Sequence, residues 1–82
     1  MAFVAMGVMQ SYRGKNTIAL EAFREGTRME PNDAINAFYL GHGLAQVGQN
    51  EEAKDAFKKA IDLGDKVVKK DAEAAMQTLN SK

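Results

Sequence analysis

His42 is the first residue of this 82-residue chain to consider for chemistry, because it is the only histidine and lies between two glycines, Gly41 and Gly43. A metal site needs further His, Cys or carboxylate ligands at helical spacing, and the sequence offers none beside His42. The two glycines also lack the preceding strand and the lysine of a phosphate-binding loop. We therefore interpret His42 as a hydrogen-bonding residue of a surface or groove.

Other residue types give no better basis for catalysis. The chain has no cysteine, so it has no thiolate nucleophile, no thiolate metal ligand and no disulfide framework. Its eleven acidic residues fall on the polar faces of helical patterns, without the close pairing that shared-proton chemistry requires. The sequence predicts that the protein is not an enzyme and needs neither a metal nor a cofactor.

The charge balance and the apolar start of the chain narrow the class of partner. Eleven basic residues offset eleven acidic ones, which disfavours a nucleic acid or an anionic membrane as a partner. The apolar segment Met1–Met9 has no basic flank and only about half the length of a membrane helix, so we expect no membrane span. The absence of cysteine favours a cytoplasmic location.

The elements that would position any site are predicted by an internal repeat, since the chain matches itself after a shift of 34 residues. The matching positions are mostly small or aromatic: Gly7, Gly14, Asn16, Ala19, Ala22 and Phe23 recur as Gly41, Gly48, Asn50, Ala53, Ala56 and Phe57. This period is typical of a repeat made of two helices, whose units bury their apolar faces by stacking. It predicts an all-α fold and a binding surface.

Turn signals divide the repeat into helical hairpins. Gly14 and Gly48 can adopt the left-handed conformation that ends a helix, and Asn16 and Asn50 are suited to cap the helices that follow. We predict five helices, with these approximate bounds: Ala2–Arg13, Thr17–Met29, Ala34–Val47, Glu51–Leu63 and Lys66–Asn80.

The junctions between hairpins carry their own signals. Pro31 disfavours helix before it, and Asn32 or Asp33 can cap the third helix. Gly64 and Asp65 end the fourth helix and begin the fifth. The fifth helix has one apolar stripe and one polar face, as a capping helix requires. The stripe consists of Val68, Ala72, Ala75, Met76 and Leu79.

These residues resemble the tetratricopeptide repeat, whose pattern has Leu-Gly, a later Gly at the turn, then Ala, an aromatic residue, Ala and Pro. In the second unit the matching residues are Leu40, Gly41, Gly48, Ala53, Phe57 and Ala60. In the first unit they are Met6, Gly7, Gly14, Ala19, Phe23, Gly26 and Pro31. The second Pro is replaced by Asp65, and Trp and Tyr are replaced in both units.

The resemblance implies a single domain, residues 1–82, folded as a right-handed α-solenoid of antiparallel helix pairs. Repeat 1 covers about 1–33, repeat 2 about 34–65, and a capping helix about 66–80. In the family, the first helix of each unit lines a groove that holds a peptide or a partner helix. The positions carried over are Val4, Val8, Tyr12, Ile35, Phe38, His42 and Gln46, with Met1, Ser11 and Ala45 on the same faces.

The composition of this groove bears on the ligand. Family members that hold acidic chaperone tails use Lys, Asn and Arg there, because a carboxylate needs such donors. Here Val4, Val8, Phe38 and Ala45 occupy those faces, which favours a hydrophobic peptide or an amphipathic helix. Packing in the core or against a neighbouring molecule is an equally good interpretation of Val4 and Val8.

Two functions follow from these patterns. The first is a noncatalytic scaffold that presents an apolar groove to another protein. The alternative is a self-assembling unit, a homo-oligomer formed through the first helix or by exchange of a hairpin, or the C-terminal fragment of a longer repeat protein. It rests on four apolar residues of the first helix that lack a preceding unit to cover them: Phe3, Val4, Met6 and Val8.

Overall fold

The structure, a computed structural model, describes residues 2–64 and 66–80. Within these ranges the chain forms five α-helices and no strand, which confirms the predicted all-α class. Each helix begins and ends within one residue of the predicted bounds. The helices are α1 (Ala2–Tyr12), α2 (Asn16–Met29), α3 (Ala34–Gln46), α4 (Asn50–Leu63) and α5 (Lys66–Asn80).

The helices are short compared with a bilayer. The longest of them, α5, has 15 residues, whereas a membrane span needs about 20 apolar residues. Of the helices in the described ranges, none is both long enough and apolar enough to cross a membrane.

The 34-residue echo of the sequence is also an echo of backbone geometry. Helix α1 packs against α2, and α3 packs against α4, with a three-residue connection within each pair. Gly14 and Gly48 end the first helix of each pair in the left-handed region, with φ of 76° and 84°. In both turns the next amide donates to the carbonyl five residues earlier at 2.9 Å. Because such short connections join packed helices, each pair is an antiparallel hairpin.

The predicted asparagine caps are wrong. Asn16 and Asn50 are the first residues of α2 and α4, and the N-cap positions belong to Lys15 and Gln49. Neither of these two side chains makes a capping hydrogen bond. The start of α2 and α4 therefore depends on packing of the helices and not on a side-chain cap.

The junction between the hairpins contains a side-chain cap and a buried amide. The Oδ1 atom of Asp33 accepts hydrogen bonds from the backbone N–H groups of Ile35 at 2.8 Å and Asn36 at 3.2 Å, which confirms one of the two predicted caps. Asn36 is only 2% exposed, and its side-chain amide donates to Glu30 Oε2 at 3.2 Å. The expected start of the last helix at Asp65 lies outside the described residues.

The core repeats with the hairpins. Phe23 and Phe57 are each 1% exposed and are the largest fully buried side chains of the described residues. Each ring lies over a glycine of the preceding helix, Gly7 or Gly41, and a Cβ atom at Gly41 would come within 2.7 Å of the Phe57 ring. The small residues of the repeat therefore permit close approach of two helices around one buried ring.

Helix α5 covers the outer side of α4, as the apolar stripe predicts. Ala72 is fully buried and Leu79 is 8% exposed. Val68, Ala75 and Met76 are partly buried against the same core. The opposite face of α5 is exposed to solvent, including Lys66, Lys69, Lys70 and Glu73.

Gln10 is the one described residue with a buried side-chain polar atom, Oε1, that has no hydrogen-bond partner. The matching residue of the second unit, Leu44, is 2% exposed in the core. We expect Gln10→Leu to raise the free energy of unfolding by about 1–2 kcal/mol, because an unpaired buried polar group costs about that much. Urea denaturation measures the change. Gln49→Leu, at an exposed glutamine, should shift it by less than about 0.5 kcal/mol, and an equal gain from both variants would contradict the assignment.

Candidate functional site

The seven residues predicted to line a groove lie around two neighbouring hollows that share Tyr39. The first hollow, about 370 Å³, is lined by Val8, Ser11, Tyr12, Phe23, Tyr39, His42 and Gln46. The second hollow, about 290 Å³, is lined by Val4, Ile35, Phe38, Tyr39, Val68 and Asp71. We call the two hollows together the groove. Helices α1 and α3 supply most of its lining, as the repeat predicts, because both are the first helix of a hairpin.

Tyr39 connects the groove to the core through a series of aromatic contacts. Its ring stacks on Phe23, with centroids 5.7 Å apart and an interplanar angle of 26°. The ring of Phe38 meets Tyr39 edge-on at 5.3 Å and lies 5.7 Å from Phe57. Because Phe23 and Phe57 are fixed in the core, this contact series holds the wall between the hollows in place. The sequence favoured core packing for Tyr39 and did not predict its place between the hollows.

A hydrogen bond joins the two hairpins beside the first hollow. Ser11 Oγ donates to Gln46 Oε1 at 3.0 Å, linking the last turn of α1 to the last turn of α3. Both residues belong to the faces predicted for the groove. The bond is exposed, so a ligand can compete for either side chain.

The predicted groove residues differ widely in exposure. Tyr12 is 88% exposed at the first hollow, and Ile35 is 36% exposed at the second. Val4 is only 7% exposed, so it belongs mainly to the core and offers a ligand little area. The expectation that Val4 needs a preceding unit to cover it is wrong, because the chain buries Val4 itself. Met1 lies outside the described residues.

Helix α5 contributes to the groove in a way that the sequence analysis missed. Val68 and Asp71 line the second hollow, although α5 was interpreted only as a cap. The apolar stripe and the adjacent acidic residue were visible in the sequence, but their position beside α3 depends on how α5 packs. Asp71 is the only charged side chain that lines either hollow.

A third hollow, on another side of the molecule, differs in chemistry. We call it the charged hollow; it measures about 260 Å³ and includes both acidic and basic side chains. Arg24 Nη2 lies 3.7 Å from Glu52 Oε2 there, in an exposed ion pair. Its lining residues are Arg24, Leu40, Leu44, Glu52, Asp55, Ala56 and Lys59.

The titratable residues of the described chain do not form a metal cluster. No three His, Cys, Asp or Glu side chains within residues 2–64 and 66–80 come close enough to hold an ion. His42 is exposed at the first hollow, beside uncharged polar groups. The pKa of Glu25 is lowered because Arg28 donates a hydrogen bond to its carboxylate, but this pair lines neither hollow.

The groove therefore combines an apolar wall, a few neutral hydrogen-bonding groups and one carboxylate. Such a lining can bind an apolar segment by burial and orient it through hydroxyl and amide groups. The chain matches no protein-family model, and no curated protein is similar enough to count as a relative.

Proposed function

We propose that this chain is a tetratricopeptide-like interaction module, a right-handed solenoid of two helical hairpins and a capping helix, which binds an apolar segment of another protein in its groove. The proposal assigns the chain no catalytic role and a cytoplasmic location. The observation that carries it is the position of all seven predicted groove residues around two adjoining hollows.

The repeat supports the tetratricopeptide-like assignment. Matching glycines end α1 and α3 in the left-handed conformation, and matching phenylalanines lie over matching glycines inside each hairpin. Small residues at the points of close approach are also the positions that carry the family resemblance. A further helix, α5, covers the last hairpin, as the end of a stacked array requires.

The shape of the groove favours an elongated ligand. Compact ligand pockets usually measure about 300–1,000 Å³, and each hollow lies near the lower limit. Two adjoining hollows separated by Tyr39 suit two side chains projecting from one segment. An amphipathic helix provides such side chains at spacings of three, four or seven residues.

The charge distribution favours the groove over the charged hollow as the site for an apolar segment. The first hollow has no charged lining residue, and the second has only Asp71. The charged hollow contains four, whose desolvation would oppose apolar burial. The exposed ring of Tyr12 is also the kind of side chain that contributes strongly to binding.

A display library of amphipathic helical peptides tests the proposal. We expect it to contain peptides whose affinity, measured by isothermal titration calorimetry, falls at least about tenfold in Ile35→Asp, because a carboxylate in the second hollow opposes apolar burial. Tyr12→Ala should weaken the same peptides by loss of ring contacts. Leu63→Asp is the matched control, because Leu63 is 38% exposed, close to the 36% of Ile35, and lines neither hollow.

The outcome that contradicts the proposal is equally clear. If selected peptides bind Ile35→Asp and Tyr12→Ala as tightly as the parent chain, the groove is not the binding site. Circular dichroism of each variant separates loss of binding from loss of fold. Both substituted residues are exposed enough for the fold to survive.

A further inference from the structure

A second apolar surface lies outside the groove, on the outer side of the first hairpin. Three large apolar side chains there are about half exposed: Met6 at 53%, Met9 at 57% and Ile18 at 50%. We call these three residues the open face. None of them lines a hollow of the groove or the charged hollow.

The second hairpin shows what covers the matching positions. Leu40, Gly43 and Glu52 lie 34 residues after Met6, Met9 and Ile18. They face α2 of the preceding hairpin: a Cβ atom on Gly43 would come within 2.7 Å of the Phe23 ring. Glu52 pairs with Arg24 of α2.

The open face cannot accept another helix of the α2 type in the same way. Met9 stands where Gly43 leaves room for the Phe23 ring, so an equivalent ring would clash with the Met9 side chain. Ile18 stands where Glu52 receives Arg24, so an equivalent guanidinium would lose its ion pair. The open face therefore departs from the stacking chemistry of the repeat itself.

Head-to-tail stacking of this chain is also unfavourable. The only end that could meet the open face in such a stack is the outer side of α5. That side exposes Lys66, Lys69, Lys70 and Glu73, and burying unpaired ammonium groups against Met and Ile side chains is costly. An extended filament of this chain is therefore disfavoured.

A two-fold contact between open faces meets neither objection. Each open face is uncharged, and flexible methionine side chains adapt to irregular apolar surfaces. Its border carries both signs of charge: Arg13 follows Met6 and Met9 at helical spacing, and Glu21 matches Asp55 beside the charged hollow. A two-fold axis can bring Arg13 of one copy towards Glu21 of the other.

We propose that the open face is a self-association surface, on which two copies of this chain form a closed dimer around Met6, Met9 and Ile18. The patch is smaller than the surface of about 800 Å² per partner that stable dimers bury, so the dimer is weak, with a dissociation constant on the order of 0.1 mM. The groove lies outside this contact, so dimer formation and ligand binding are independent.

Sedimentation velocity from about 10 µM to about 2 mM tests the dimer, since this range brackets weak association. The expected result is a monomer–dimer equilibrium without larger species. Met9→Glu should raise the dissociation constant at least about tenfold, because each dimer then buries two carboxylates in an apolar contact. Met29→Glu is the matched control: Met29 is 63% exposed at the end of α2 and should leave the equilibrium unchanged.

A dilution series followed by ¹⁵N nuclear magnetic resonance tests the same surface without substitution. The amide signals of Met6, Met9 and Ile18 should shift with concentration, and that of Met29 should not. A monomer at every concentration would overturn the proposal. So would species that grow beyond a dimer, or equal weakening by Met9→Glu and Met29→Glu.

Discussion

Replacing Phe57 with alanine is expected to lower the free energy of unfolding by about 3–5 kcal/mol, because it empties the most enclosed part of the core. The ring is 1% exposed, lies over Gly41 and contacts Phe38. A domain of this size has a total stability of only about 4–12 kcal/mol, so much of the population should unfold. Urea denaturation followed by circular dichroism measures the change.

The repeat supplies the matched comparison for this result. Phe23→Ala should cost about as much as Phe57→Ala, because Phe23 is equally buried over Gly7. Tyr12→Ala should change stability by less than about 0.5 kcal/mol, since that ring is 88% exposed. A loss below about 1 kcal/mol for Phe57→Ala would mean that the ring is not the centre of the second hairpin.

Gly41→Ala is expected to destabilise the protein, although alanine is the better helix former. Helix propensity alone would favour alanine by about 1 kcal/mol. The new Cβ atom would lie 2.7 Å from the Phe57 ring, however, and overpacking of this kind costs about 1–3 kcal/mol. We therefore expect a net loss of up to about 2 kcal/mol in the free energy of unfolding, measured by the same denaturation.

Two further variants identify the cause. Ala74→Gly, on the exposed side of α5, should cost about 1 kcal/mol and reports the propensity difference in this chain. Combining Gly41→Ala with Phe57→Leu should cost less than the sum of the single changes, because the smaller side chain leaves room for the methyl group. A Gly41→Ala protein more stable than its parent would contradict the close approach of α3 to the ring.

The helices could be predicted from local signals because turn residues and apolar periodicity both follow the 34-residue repeat. Gly14 and Gly48 mark the ends of α1 and α3 through their backbone conformation, which few other residues adopt. The caps of α2 and α4 could not be predicted in the same way. Asn16 and Asn50 have the right side chain for a cap, but packing of the hairpin starts each helix one residue earlier.

The groove could be predicted in outline because it follows from which helix is first in each hairpin. Its depth could not, because depth depends on tertiary packing. Val4 and Ile35 are both β-branched residues of groove-facing helices, yet Val4 is 7% exposed and Ile35 is 36% exposed. The contributions of Val68 and Asp71 depend on the angle at which α5 leaves α4, which no local pattern specifies.

The two proposed contacts use different surfaces of one small fold. The groove presents side chains of α1, α3 and α5, whereas the open face presents Met6, Met9 and Ile18. A weak dimer would double the number of grooves in one assembly and so increase the avidity for a partner with two binding segments. Failure of either contact would leave the other intact.

The most direct test of the central claim is a ¹⁵N nuclear magnetic resonance titration with a helical peptide selected for binding. The groove account predicts that the largest shifts occur at residues lining both hollows, including Val8, Tyr12, Ile35 and Tyr39, while residues of the charged hollow such as Asp55 and Lys59 stay unchanged. Shifts centred on the charged hollow, with the groove unperturbed, would contradict it.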